Sequence, residues 1–400
     1  MQKQITAILL VAGTCIGGGT IALPIALAKL GVAASLTIML LTWLLAYYTS
    51  LVSVELNLQS EHGLSLGALG RAFSGKVAAF IGDASVKVLS YALLAVYIYG
   101  ISSIIQKLAE TYWGYTFSSF AIETWISAII VVILLAPIKL ISKVNYVAFL
   151  VFVTIFLTLV AIIAEGVNWH NIPWGVNTDS SGIASVVTVV FTSFGYQVIF
   201  HTLRDYCGRN SVMLRRVFLI GSFIPAVVYM LWTSGVLSVI SISEPAFFTQ
   251  MIAGKIDVGD IVARLAAISK FPNFQIMVWW MSIFAIFTSI IGVGVGLVGS
   301  LDLSLQKISR LSSATFVRRC VVALIVVLPT YIVAAVVPNA FIRVLGFAGS
   351  ILVVVAILLP IYLFFKAGIK TPYLPELKKW ALVLCSLIGL AIIVLEFCLR

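Results

Sequence analysis

The chain runs Gly13-Thr-Cys-Ile-Gly-Gly-Gly-Thr-Ile-Ala-Leu-Pro24 through the middle of its first long apolar stretch. An interior Gly costs a helix about 1 kcal/mol relative to Ala, and an interior Pro about 3. Where lipid surrounds a segment, freed N–H and C=O groups find no water, so a broken helix persists only where protein or an aqueous cavity receives them. Three adjacent glycines with Pro24 beyond them predict a segment unwound over Thr14 to Gly19, with a binding site built from backbone. The Gly13-xxx-Gly17 spacing also suits close helix packing, but packing alone does not require Gly17, Gly18 and Gly19 side by side.

Composition places that break in a membrane. Of the 400 residues 62% are hydrophobic and 10% charged, more apolar surface than a soluble core hides. Apolar runs of spanning length recur about eleven times, roughly at 4–29, 33–56, 77–107, 118–138, 143–165, 182–203, 214–242, 273–304, 316–337, 341–366 and 379–399. The expectation is an all-α polytopic membrane protein, one transmembrane domain over the whole chain. The run at 77–107 reads as one long tilted helix or as a helix with an interfacial turn. The first thirty residues imitate a signal peptide, with Lys3 and Ala26-Leu-Ala28, yet their core carries the glycine triplet and Pro24. Retention is therefore expected. Leu64, Leu66, Leu69 and Phe73 among polar neighbours predict an interfacial amphipathic helix. Trp169 and Trp174 suit headgroup level. The stretches near 166–181 and 244–272 read as polar connections.

The net charge of +11 is dispersed among short loops, which does not suit nucleic acid as a partner. With the N-terminus in the cytoplasm, the inner loops hold Lys3, Arg71, Lys76, Lys139, Lys143, Arg204, Arg209, Arg215 and Arg216. They also hold Lys307, Arg310, Arg318, Arg319, Lys366, Lys370, Lys378 and Lys379. The outer loops hold only Lys29, Lys107, Lys255, Arg264, Lys270, Arg343 and Arg400. That bias predicts a plasma (inner) membrane protein with its N-terminus inside and its C-terminus outside. Cys15, Cys207, Cys320, Cys385 and Cys398 show no CxxC spacing, and His62, His170 and His201 lie far apart, so neither metal nor other cofactor is expected. Without HExxH or a nucleophile–base constellation the chain does not read as an enzyme. Two different broken helices in one chain also argue against a channel.

The second break comes five spans later, at Phe191-Thr-Ser-Phe-Gly-Tyr-Gln197. Five is odd, so the first and sixth spans cross in opposite directions. Segments of roughly 4–165 and 182–366 then read as inverted five-helix repeats, with a helix near 379–399 added. Interrupted segments in corresponding positions of two halves point to a secondary transporter. With Leu345-Gly-Phe-Ala-Gly349 these motifs carry a resemblance. The chain resembles the hydroxy and aromatic amino-acid permeases of the amino acid–polyamine–organocation superfamily, closest to bacterial tyrosine-specific and tryptophan-specific permeases. The resemblance implies a leucine-transporter-type fold and import of tyrosine, with tryptophan or phenylalanine as further substrates, by proton symport. The family pattern places a histidine after Ser-Phe-Gly-aromatic and then a proline; this chain has Gln197 and, later, Phe200-His201. A small hydroxy amino acid such as serine or threonine, or sodium coupling, is the alternative.

The residues divide by role. Thr14, Ile16, Gly17, Gly18, Gly19 and Thr20 form the first break, whose half-helix N-terminus suits a substrate carboxylate. Carbonyls around Thr192, Ser193, Phe194 and Gly195 suit the ammonium, with Phe194, Tyr196 and Gln197 beside them. Tyr97 is a lateral wall, Thr288 or Ser289 a site lining, and Phe347 an outer gate. Lys87 near mid-span needs a partner, which Asp83 at i,i+4 supplies either as a proton relay or as a self-neutralising pair. Glu55 and His201 are further titratable candidates for coupling.

Overall fold

The computed structural model describes residues 2–60, 63–166, 172–175, 181–268, 273–305, 315–337, 340–369 and 377–398. His62, Trp169, His170, Lys270, Lys307, Arg310, Lys370 and Arg400 lie outside the described residues. The first span is broken into α1 (Gln2–Cys15) and α2 (Gly19–Leu27), bent by 49°. After it come α3 (Gly31–Leu58), the short α4 (Leu66–Phe73), α5 (Lys76–Trp113), α6 (Ser119–Leu135) and α7 (Ile138–Gly166). Helix α8 (Ser181–Ser193) gives way to a 3-10 turn, Tyr196–Ile199, and then α9 (Phe200–Cys207). Next are α10 (Ser211–Ser243), α11 (Pro245–Ile252), α12 (Val258–Ile268), α13 (Phe274–Leu305) and α14 (Thr315–Val336). Helix α15 (Ala340–Val353) passes through a π turn, Val354–Leu358, into α16 (Leu359–Lys366), and α17 (Lys379–Cys398) comes last. Among the described residues, nine helical stretches are long and apolar enough to cross a membrane, and the α1–α2 pair makes a tenth. The seventeen-residue α6, where a fourth span is expected, is shorter. The protein is an all-α polytopic membrane protein.

Local chemistry sets the element ends. Ser65, Ser118 and Asn210 cap α4, α6 and α10 by accepting from the N–H groups of Ala68, Ala121 and Met213 at 3.3, 3.2 and 2.9 Å, each satisfying a donor the first turn leaves orphaned. Gly114 ends α5 at φ +68°, a left-handed turn that glycine adopts without a Cβ penalty. Pro360 has no N–H for the carbonyl four residues back, and the π turn just before it absorbs the mismatch.

The structure refines three expectations. Unwinding is confined to Ile16–Gly18, because Thr14 still belongs to α1 and Gly19 already opens α2. Helix α5 is continuous, and its 38 residues reach about 57 Å. Over its described part, 244–268, the connection folds into α11, which starts on Pro245, and α12, which buries Val258, Ile261, Val262 and Leu265 on one face.

Packing forms two apolar bodies. One gathers α5, α7, α12 and α13; the other gathers α3, α8, α15 and α17. Helix α2 belongs to both: Ile21, Ala22, Ile25 and Ala26 pack into the first, Leu23 and Leu27 into the second. The break therefore sits on the seam.

Candidate functional site

Each glycine of the first break faces a different neighbour. A Cβ built on Gly17 would collide with the Ser289 hydroxyl of α13. On Gly18 it would lie 2.7 Å from Tyr97 Cε1 of α5, and on Gly19 it would lie 2.8 Å from Ser193 Oγ and 2.9 Å from the Tyr229 hydroxyl. The triplet thus lets α5, α8, α10 and α13 converge on one turn of backbone. Within that turn Thr20 donates both its N–H and its hydroxyl to the Gly17 carbonyl, at 3.0 and 2.7 Å. The N–H groups of Gly18 and Gly19 donate to no backbone carbonyl, as expected at a helix N-terminus.

The second break lies directly against the first. Gly195 N–H donates to the Thr192 carbonyl at 3.1 Å, and Tyr196 N–H to that of Phe194 at 2.9 Å. Tyr229 links the two breaks: its hydroxyl donates to the Cys15 carbonyl at 2.6 Å and reaches the Ser193 carbonyl at 3.4 Å. Trp232, one turn on, donates its indole N–H to the Thr20 carbonyl at 2.7 Å. In a low-dielectric interior these bonds satisfy carbonyls that the unwound helices leave without partners.

Tyr229 and Trp232 are absent from the sequence reading. The available signal was an i,i+3 pair of aromatics, each with one polar handle, in the apolar α10; such handles find partners when buried.

A model of the tryptophan/tyrosine permease family matches residues 1–398. The chain belongs to that family. It is 28% identical over 404 residues to tyrosine-specific transport system 1 of Haemophilus influenzae, covering 100% of this chain and 98% of that protein. It is 25% identical to the tryptophan-specific transport protein of Pseudomonas aeruginosa, over 96% of this chain and 91% of that one. It is 24% identical to glutamine transporter 2 of Aliivibrio fischeri, over 98% of each chain. The family is one of permeases, not enzymes.

In this permease the other expected site residues divide into three groups. At the junction, Ile16 is buried and Ser193 abuts Gly19. Ser289 abuts Gly17 while donating back to the Ala285 carbonyl at 2.9 Å. Tyr97 faces Gly18, with its hydroxyl in range of Ser289.

A second group is turned into packing. Phe194 stacks edge-on against Tyr229 at 5.8 Å, and Tyr196 is enclosed by Phe200 and Phe218. The hydroxyls of Thr14, Thr192 and Thr288 are bonded to carbonyls one turn earlier in their own helices, and Thr14 is exposed. Phe347 is half-buried against the second apolar body. Gln197 is 4% exposed, and neither its amide N nor its amide O has a partner. That orphaned amide beside the second break is a polar group awaiting one.

The titratable candidates fall at three separate places. Asp83 and Lys87 share a groove with Arg71 and Lys76. Glu55 is fully buried in α3 and accepts from the Gln59 amide at 2.8 Å. His201 is the second residue of α9, with its carbonyl against Gly63.

The junction is tightly packed around Gly17, Gly18 and Gly19. On the α12 side a cavity of about 20 Å³, lined by Thr20, Trp232, Ile261, Met281 and Ser282, has room for about one water molecule. Helix α12 roofs it and is tied to α5 by Asp257, whose carboxylate accepts from Tyr99 and Ser103 at 3.0 and 2.7 Å.

Proposed function

We propose that this permease imports an aromatic amino acid, tyrosine foremost, across the plasma membrane by alternating access. The observation that carries this reading is the apposition of two broken helices at Gly19–Ser193, bridged by Tyr229. A zwitterion needs donors for its carboxylate and acceptors for its ammonium a few ångströms apart. The free N–H groups of Gly18 and Gly19 at the α2 N-terminus supply the first. The carbonyls around Ser193 and Gly195 supply the second. Tyr97 lies beside the carboxylate end and Gln197 beside the ammonium end, leaving the side-chain ring between α5 and α8.

Because Tyr97, Ser193, Tyr229 and Ser289 press against Gly17–Gly19, loading requires the two apolar bodies to separate along the seam. The chemistry of the relatives' names, tyrosine and tryptophan, supports an aromatic side chain. Residues near 4–165 and 182–366 act as inverted repeats, with the cation-rich loops and the N-terminus in the cytoplasm. Protons supply the driving force, and no cofactor takes part.

The test is uptake of labelled tyrosine into vesicles carrying separately imposed proton and sodium gradients, with unlabelled tryptophan, phenylalanine, serine and glutamine as competitors. Competition by tryptophan and phenylalanine under a proton gradient is expected. Competition by serine or glutamine alone would overturn the aromatic assignment, and uptake that follows only sodium would overturn proton coupling.

A further inference from the structure

The groove that holds Asp83 and Lys87 is unused by the proposed transport site. It measures about 310 Å³ and is lined by Arg71 at the end of α4 and by Lys76, Ala79, Phe80, Asp83, Ala84 and Lys87 of α5, a volume at the lower end of the range of ligand pockets, about 300–1,000 Å³. Three cations face one carboxylate there, leaving the groove electropositive. Lys76, Phe80, Asp83 and Lys87 follow one another at helical spacing, so the cations form a strip about 16 Å long down one face of α5. The Asp83 carboxylate is seated against Gly67 of α4, which fixes α4 as the opposite wall.

A second strip, Val77, Ile81 and Val88, runs beside the first and is 74%, 40% and 41% exposed. Phe80 joins the two: it lines the groove and is itself 74% exposed. Cations beside a continuous apolar strip match a molecule with a phosphate at one end and hydrocarbon at the other. A small soluble anion would use only the mouth of the groove and would leave the strip bare.

We propose that this groove binds an anionic diacyl phospholipid of the cytoplasmic leaflet. The phosphodiester sits among Arg71, Lys76 and Lys87, and an acyl chain lies along Phe80, Val77 and Ile81. Basic pockets at the cytoplasmic rim of membrane helices bind such headgroups. Assignment to that leaflet rests on the orientation proposed above. The binding itself does not, since a detergent micelle has no sides.

The test uses the full chain purified in neutral detergent, titrated with phosphatidylglycerol carrying a fluorescent tail. Saturable binding of phosphatidylglycerol is expected, with phosphatidylcholine at least tenfold weaker and millimolar inorganic phosphate unable to displace it. Removing two cations in K76Q/K87Q weakens binding about 25-fold, at about fivefold for each charge near a membrane surface. Lys255→Gln, outside the groove, leaves it unchanged. Should the double variant fail to fold, Arg71→Gln at the exposed end of α4 gives a loss of about fivefold. Wild-type affinity in the folded charge variants would overturn the proposal. So would displacement by inorganic phosphate, which would mark a pocket for free anions. Neither outcome depends on whether tyrosine is transported.

Discussion

Tyr229→Phe removes one oxygen and keeps the ring that packs edge-on against Phe194 at 5.8 Å. The lost hydroxyl is the group that bridges the Cys15 carbonyl at 2.6 Å and the Ser193 carbonyl at 3.4 Å. Tyr229 is fully buried, so no water replaces the missing donor. Leaving a buried carbonyl without its donor costs about 1–3 kcal/mol. The longer Ser193 contact contributes less, because its 3.4 Å distance weakens it. Expressed as a shift in the balance between closed and open junctions, that cost amounts to about 5- to 150-fold. The assay pairs the thermal midpoint of the purified protein with initial uptake rate of labelled tyrosine at matched membrane abundance. A lower midpoint is expected, with uptake reduced by at least about fivefold. Unchanged stability together with unchanged uptake would refute the assignment of Tyr229 as the tie between the breaks.

Three further outcomes follow from the same geometry. Gly17→Ala places a methyl on the Ser289 hydroxyl and is expected to cost about 1–3 kcal/mol of stability; adding Ser289→Gly should recover most of it in melting and uptake, and an additive double variant would argue against that contact. Gln197→Leu removes an amide with no partner, so the thermal midpoint should rise, a buried unbonded amide costing about 1–3 kcal/mol, while tyrosine uptake falls; preserved uptake would remove Gln197 from the site. Asp257→Ala frees α12 from Tyr99 and Ser103, and a cysteine introduced at Thr20 should then react faster with an outside thiol reagent; an unaltered rate would show that this carboxylate does not hold the roof.

Much of the fold was legible because lipid makes periodicity and backbone accounting unusually strict. Gly17–Gly19 and Gly195 announced both breaks, and the eleven expected apolar runs meet nine spanning helices and one bent pair among the described residues. Gly18 and Gly19 were recognisable as part of the break for the same reason. The aromatic residues were harder, since a Phe beside a break faces either a ligand or its own scaffold. Phe194 and Tyr196 took the second option, and nothing local distinguishes the two. The partners of Tyr229 and Trp232 could not be read locally, because they are carbonyls that lie more than two hundred residues earlier in the chain. The α11–α12 pair hid within a stretch read as polar, although Val258, Ile261, Val262 and Leu265 already carried helical spacing.

The hydrogen bonds at the seam are distributed unequally, and that asymmetry has a mechanical meaning. Directional bonds moor the first break to α10 through Tyr229 and Trp232. Toward α5 and α13 the same turn presents Gly18 and Gly17, which offer only bare Cα atoms to Tyr97 and Ser289. One side is an anchor and the other a smooth bearing. The first span would therefore travel with α10 and glide past α5 and α13. A methyl added to the bearing side would act as grit, slowing turnover more than it weakens grip on cargo.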